Sequence, residues 1–415
     1  MSQSAIPSSP ARPRLDAVDW LRGFVMVVMA LDHVRDFFGD VSFDAIDPHQ
    51  TTVRHFFTRW VTHFCAPTFI FLTGVGIYLT KTRGRTKPQL SWFLLSRGAW
   101  LLLLELTYIR FFWSQFDVSY KFTGLGVFWS ISWSMILMSL IVFLPDWLIT
   151  GLGLAMILGH NALDGIPPND WGEWGWLWKL LHAQGDIDFG WTGIGTAYKI
   201  VPWVGVMMAG YGFGRVLLWE RERRQRFIVR LGIAMIAAFM VLRGINVYGD
   251  RKPRLHEPDP QAVAELEKSR AKGPSTVNPP LPPAMFAALS FLNCEKYPPS
   301  LDYLLMTLGP ALLLLAAADR PMGPLGRAVV TFGRVPLFYY LLHIALIVPA
   351  AVGIYGIGHA LGYYGSPTTV VQAGGLLPLW GVYLAWLALL VTLYFPCRWY
   401  ADVKARSRNP WLSYL

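Results

Sequence analysis

The sequence predicts an all-α polytopic membrane protein, a bundle of about ten transmembrane helices. Three observations carry that reading. Apolar residues make up 54% of 415 and charged residues only 15%, a balance that ordinary soluble enzymes do not have. Nineteen tryptophans and seventeen tyrosines suit two aromatic belts at membrane interfaces. The net charge of +10 sits mostly between apolar segments, so it reads as topology and not as phosphate binding; no nucleic acid is expected as a partner. Cys65, Cys294 and Cys397 lie far apart and form neither a disulfide framework nor a zinc pattern, and no metal is expected.

Residues 1–14, MSQSAIPSSPARPR, read as a disordered cytoplasmic N-terminus and not as a cleavable signal. The first span, 17–38, organises the rest. Its uninterrupted apolar run, Gly23 to Leu31, is under half the ~20 residues needed to cross ~30 Å of hydrocarbon. Spanning therefore places Asp32 and His33 inside the membrane. At ~1.5 Å per residue His33 lies ~16 Å from Arg22. Ionisable groups at that depth cost at least ~2.5–3.5 kcal/mol each and are functional by default. The bland alternative is a structural cluster in which Arg35 and Asp36, at helical spacing, satisfy Asp32 and His33.

The second span, 60–80, opens on His63 beside Arg59 and Trp60. Set ~27 Å from Lys81, His63 is expected near the exoplasmic surface, a little above His33. Two imidazoles opening toward one aqueous side suit general base chemistry, because a neutral ring with a pKa near ~6.5 accepts a proton from an amine or hydroxyl. A helix cap or interface anchor is the alternative for His63. The third span, 91–113, carries Glu105 in LLLLELTYIR, for which an ion pair with Arg110 or Arg22 is expected.

Spans 122–144 and 146–163 follow. Segment 164–195 is too long for a plain connector, and the tryptophans of DWGEWGWLWKLLHAQGD fit a helix in the interface plane with His182 and Gln184 at its end. After spans 197–219 and 227–247 comes a second long segment, 248–299. A short amphipathic helix near 260–270 and mobility around NPPLPP are expected there. It reads as a lid or acceptor-docking rim, or as a surface insertion. Spans 300–318, 335–360 and 374–396 complete the bundle. His343 lies ~14 Å along its span from Arg334, lining the same cavity as His33 or serving as a satisfied core histidine. The basic loops KTRGRTKP and WERERRQR alternate with segments 114–121 and 361–373, which hold one lysine and none; positive-inside counting puts both termini in the cytoplasm. Residues 15–397 then form one transmembrane domain and 398–415 a cytoplasmic tail.

Arg22-Gly23 followed by His33 resembles the RG…H signature on the first helix of membrane acyltransferases that acetylate sugars across a bilayer. The longer pattern, LDAVDWLRGF with MALDH and THFCAPTFIFLTG at 62–74, is more similar to bacterial relatives of heparan-alpha-glucosaminide N-acetyltransferase. The likeness continues in YKIVPWVGVMMAGYGFG (198–214), KYPPSLDYLLMTLGPALLL (296–314) and GRVPLFYYLLHI (333–344), most of the chain from about residue 14. It implies a transmembrane acyltransferase of the bacterial cytoplasmic (inner) membrane. Such an enzyme moves an acetyl group from cytoplasmic acetyl-CoA, its acyl donor substrate, to an amine or hydroxyl of a sugar or glycan on the exoplasmic side. The implied partners are the bilayer, acetyl-CoA and a glycan acceptor, with homodimerisation left open.

The resemblance also implies a catalytic histidine near the start of span two. Lysosomal-type members carry Asn where His33 stands, and their key histidine precedes span two, which makes His49 and His55 rivals to His63. The catalytic candidates are thus His33, His63, Asp32 and Asp36. For the donor nucleotide, Arg22, Arg83, Arg85 and Arg334 offer guanidinium forks suited to phosphate. Arg22 and Arg334 stand out because they lie inside helical motifs, and no Gly-rich phosphate loop competes with them. A rival reading is a proton-coupled secondary transporter with Asp32, His33, Glu105 and His343 as its relay. It lacks the inverted repeat and paired broken helices such proteins carry. A non-catalytic membrane anchor, the third reading, predicts no defined cavity.

Overall fold

A computed structural model describes residues 16–270, 281–362, 375–407, 409 and 412. Residues 1–14 and the Asn-Pro-Pro of NPPLPP, expected to be disordered or mobile, lie outside the described residues. The helices run in order α1 (Asp16–Phe38), α2 (Val53–Trp60), α3 (Cys65–Lys81), α4 (Lys87–Leu104), α5 (Arg110–Trp113), α6 (Val127–Ile141), α7 (Asp146–Gly159) and α8 (Gly175–Leu181). They continue as α9 (Ile200–Phe213), α10 (Arg221–Ile245), α11 (Pro260–Arg270), α12 (Pro283–Leu292), α13 (Leu301–Ala317), α14 (Pro324–Arg334), α15 (Pro336–Ala360) and α16 (Leu379–Arg406). A helix stands where one was expected near 260–270, as α11.

Among the described residues six helices are long and apolar enough to cross a membrane: Val53–Lys81, Lys87–Trp113, Ile200–Leu218, Arg221–Ile245, Pro336–Ala360 and Leu379–Arg406. A seventh is obtained if Asp146–Leu163 and Pro168–Leu181, bent by 109° at their junction, count as one span. The expectation of about ten is therefore too high, for two physical reasons. Val127–Ile141 and Leu301–Ala317 have 15 and 17 residues, short of the ~20 that hydrocarbon requires. The first helix, Asp16–Phe38, carries Asp16, Asp19, Arg22, Asp32, Arg35 and Asp36, too many charges for lipid. It is tolerated because its surroundings are protein: α1 packs against α3, α13, α14, α15 and α16, and most of its residues are buried. The Trp-rich limb Pro168–Leu181 turns away from its predecessor as an interfacial helix should, with Trp174 and Trp176 exposed.

Glycines set how closely α1 approaches its neighbour. A methyl group at Gly23 would stand 1.9 Å from the Val329 carbonyl oxygen on α14, and one at Gly333 would stand 1.8 Å from the Asp19 carbonyl oxygen. Small residues let membrane helices pack backbone to backbone in this way. The contact brings Arg22 within 3.1 Å of the Gly333 carbonyl oxygen, so the Arg-Gly pair is a packing device as well as a charge. Gly23→Ala should therefore force α1 and α14 apart and cost about 1–3 kcal/mol, the usual range for overpacking. Thermal unfolding in detergent would register this as a lower midpoint, whereas Gly76→Ala, with open space at its Cβ, should be nearly neutral.

Three short strands form a small sheet of order β1–β3–β2: β1 (Phe122–Gly124), β2 (Ile187–Asp188) and β3 (Gly193–Gly195). β1 and β3 run parallel with Phe122 opposite Gly193. The sheet ties the loop after α5 to the loop after α8, at the end of the bundle where α1 finishes.

Candidate functional site

Two cavities lie along α1, one toward each of its ends. The larger, about 740 Å³, surrounds the C-terminal part of α1 and is lined by Asp32, His33, Asp36, Arg59, Glu105 and Trp113. Residues at helix starts and in loops line its other side, among them Gln184, Tyr198, Lys199, Lys296 and Tyr297. The smaller, about 350 Å³, lies beside the N-terminal part of α1. It has apolar walls from Met26, Met29, Leu72, Ile131 and Met135 and basic residues Arg22, Arg97, Arg334 and Lys404. Val127 and Tyr340 line both, so the two cavities share a wall at these residues.

His33 stands at that wall. Its Nδ1 is 2.7 Å from Nε2 of His343, and its ring meets Trp113 edge-on at 4.9 Å and Tyr340 at 5.9 Å. His343 is fully buried behind it. The two histidines, 310 residues apart, thus form one unit; His343 lines neither cavity and is the satisfied core histidine of the two alternatives, its partners being His33 and the Tyr340 carbonyl.

The neighbouring acids are held in an ion network. Arg35 reaches Asp32 at 3.3 Å and Asp36 at 2.5 Å, and the Arg59 guanidinium donates to the other Asp32 oxygen. Helical spacing foretold Arg35 as the partner of Asp32. Asp36, expected on the face of His33, instead binds Arg35. Arg59 comes from α2, across a fold-dependent contact that no local spacing reveals.

Glu105 lines the cavity without the arginine expected for it. Arg110 binds Asp117 at 2.6 Å, and Arg22 binds Asp19 at 3.0 Å. The Glu105 carboxylate instead accepts from the backbone N–H of Gly126 at 2.5 Å, just ahead of α6. An unpaired helix-start N–H with its positive dipole end substitutes for a cation. A π-helical turn at Glu105–Ile109 follows, a local widening that often marks functional positions.

His63 is placed elsewhere. Because Val53–Lys81 runs on through a tight 3-10 turn at Val61–Phe64, His63 points into the core, has no exposed surface and packs against Tyr303 at 5.5 Å. It lines neither cavity, and neither ring nitrogen has a hydrogen-bond partner among the described residues. His49 is bound to Asp47 at 2.8 Å and accepts from the Asp259 backbone N–H at 3.1 Å. His55 contacts the Thr52 hydroxyl at 2.8 Å. Neither lines either of these two cavities. Arg22 and Arg334 do line the smaller cavity, Arg334 also pairing with Asp16 at 3.2 Å.

Sequence reasoning missed the loop side of the larger cavity. Tyr198-Lys199 and Lys296-Tyr297 each precede a helix start and meet across the mouth, the two tyrosine rings 5.3 Å apart. The signal was present as a repeated Tyr/Lys pair in the stretches YKIVPW and KYPPSL. Burial raises the Tyr297 phenol, but the neighbouring Lys296 and Arg59 charges outweigh it and hold the group below its ordinary value. Burial pushes Lys199 down to about 8 against the pull of Asp186, and its ammonium donates to the Thr196 carbonyl and hydroxyl. Gln184, expected at the end of the interfacial helix, donates to the Tyr297 carbonyl at 2.9 Å, and His182 binds Asp164 at 2.8 Å. The larger cavity therefore brings together an imidazole, a tyrosine held below its ordinary pKa and several aromatic faces.

The family described as "Heparan-alpha-glucosaminide N-acetyltransferase, catalytic" matches residues 14–248, more than half of the chain. The match takes in Arg22, Asp32, His33, Asp36, Arg59, Glu105, Tyr198 and Lys199, and ends before Lys296, Tyr297, Arg334, Tyr340 and His343. No protein of curated function matches the chain.

Proposed function

The chain belongs to the heparan-alpha-glucosaminide N-acetyltransferase catalytic family, and from that premise we propose that its two cavities divide donor from acceptor. The smaller receives the thioester arm of acetyl-CoA and the larger an amine- or hydroxyl-bearing sugar, with His33 as base. The observation that carries this reading is the shared wall: Val127 and Tyr340 border both spaces, and His33 stands beside Tyr340.

The division of residue types supports it. A pantetheine arm is thin and largely apolar, and the smaller cavity has a Met- and Leu-rich interior. Its four basic residues suit the phosphates of a nucleotide left outside, where guanidinium groups pair bidentately. The larger cavity offers what a sugar needs: paired acids and bases for its hydroxyls and aromatic faces from Trp113, Tyr198 and Tyr297. As the acceptor nitrogen or oxygen attacks the thioester carbon, its proton passes to His33, the new bond to the acetyl carbon forms and the carbon–sulfur bond breaks; coenzyme A leaves as its thiolate and takes that proton back from His33, which returns to its neutral form. Only the acetyl group need pass the wall. The charged nucleotide then never enters the protein interior, which avoids a large desolvation cost. Positive-inside counting would put the Arg22 end in the cytoplasm and the larger cavity on the exoplasmic side.

Arg22 tests the donor half. Its guanidinium faces the smaller cavity while bound to Asp19 and to the Gly333 carbonyl. Arg22→Ala should weaken binding of a coenzyme A thioester by about 1–3 kcal/mol, the worth of a charged hydrogen bond. Isothermal titration in detergent measures it. Unchanged affinity in a folded variant would leave Arg22 as a clamp between α1 and α14 only.

A further inference from the structure

We propose that His343 is a positioning residue that fixes the tautomer of His33, leaving His33 Nε2 as the one nitrogen able to take the acceptor's proton. The inference rests, for its catalytic consequence, on the acyltransferase reading above. The assignment of protons does not.

The constraint originates at a backbone carbonyl. His343 Nδ1 lies in hydrogen-bond contact with the carbonyl oxygen of Tyr340, one turn earlier on α15. A carbonyl oxygen can only accept, so the proton must be on His343 Nδ1. The opposite tautomer would set a ring lone pair against a carbonyl lone pair in a site with no exposed surface, where no water is at hand to relieve it. A neutral imidazole carries one N–H, so His343 Nε2 holds a lone pair. That lone pair faces His33 Nδ1 at 2.7 Å. The contact is attractive only if His33 Nδ1 carries the proton, and His33 Nε2 is then unprotonated. Two deductions from one carbonyl thus reach the atom that would do the chemistry.

The surroundings fit this order. Of the two rings only His33 borders the larger cavity; His343 is sealed behind it, stacked on Tyr339 at 5.6 Å. When Nε2 takes a proton, the resulting imidazolium keeps its Nδ1–H bond to a neutral acceptor. The carboxylate next to it in sequence, Asp32, is already held by Arg35 and Arg59, so it is the bond to the neutral His343 ring that orients His33. The proton on His343 is committed to the carbonyl, so the chain of bonds orients His33 and passes no proton onward. This is the orienting job a buried carboxylate does for the base in a catalytic triad, performed here by a neutral ring.

The test uses the full chain in lipid with 15N-labelled histidine and solid-state NMR, the His33 signals being assigned by their loss in His33→Asn. The wild-type protein, without donor or acceptor, should show His33 protonated at Nδ1 and bare at Nε2. In His343→Leu the acceptor is gone and the Nε2–H tautomer should appear. In His343→Gln, whose amide oxygen can still accept from His33, the wild-type tautomer should persist. Acetyl transfer should follow the same order: kcat down ~10²–10⁴-fold in His343→Leu with donor KM held within ~2-fold, and largely recovered in His343→Gln. A wild-type His33 protonated at Nε2, or a tautomer unchanged in His343→Leu, would overturn the proposal. Because the tautomer is read on the resting protein, its outcome is independent of whether acetyl-CoA is the donor.

Discussion

His33→Ala should reduce acetyl transfer ~10²–10⁴-fold while leaving thermal stability and donor binding close to wild type. The loss is that of a base standing at the wall between the cavities. Stability is spared because a neutral ring is removed and the group left behind, His343 Nε2, is an acceptor that cavity water can reach through the vacated space. The contrast is His63→Ala. His63 lines neither cavity, so its removal should open a void beside Tyr303 and lower stability without a comparable drop in kcat. The two variants, compared for kcat and for unfolding midpoint, separate chemistry from packing. Full transfer by a folded His33→Ala protein would move the base to another proton-accepting group of the larger cavity, Lys199, Glu105 and Tyr297 among them.

Arg59→Ala should destabilise the protein by about 3 kcal/mol or more. Removing one partner of a buried ion pair leaves an uncompensated charge, a change that typically costs ~3–5 kcal/mol. Arg35 remains on Asp32, which places the expectation near the lower end. The penalty belongs to the stranded carboxylate, so Asp32→Asn added to Arg59→Ala should recover much of the loss. Thermal unfolding of the two single variants and the double variant gives the coupling directly. An Arg59→Ala protein as stable as wild type would mean that Arg35 alone satisfies Asp32, and that the link between α1 and α2 contributes nothing.

How far the sequence reveals this site depends on how local each contact is. The charged interruption of the first helix at Asp32 and His33 is visible because the apolar run from Gly23 to Leu31 is too short to span hydrocarbon, and the cavity lies there. The Arg35 bridge follows from helical spacing alone. Arg59 and His343 are partners across 27 and 310 residues, and no periodicity connects them to α1. Glu105 invites an arginine because only side chains are visible in a sequence; its actual partner is a main-chain N–H, which depends on where α6 begins. His63 misleads for a related reason. A polar residue opening an apolar run reads as facing water, but the helix begins well before it, at Val53, and carries His63 into the core. The count of spans fails on the same ground: hydropathy assumes that each helix faces lipid, whereas α1 is enclosed by other helices and α6 and α13 are short.

Transfer across a sealed bilayer is the decisive experiment. The protein is reconstituted into proteoliposomes of one orientation, with labelled acetyl-CoA on the side of the Arg22 end and a terminal amino sugar on the other, and the sugar is analysed by mass spectrometry. Two cavities divided by the His33 wall predict N-acetylated sugar in the opposite compartment from the donor, with His33→Ala yielding ~10²–10⁴-fold less. Acetylated product only when donor and acceptor share a compartment would contradict the division of labour between the two cavities. No acetylated product from wild type, together with proton-coupled uptake of the sugar, would replace the acyltransferase with a transporter.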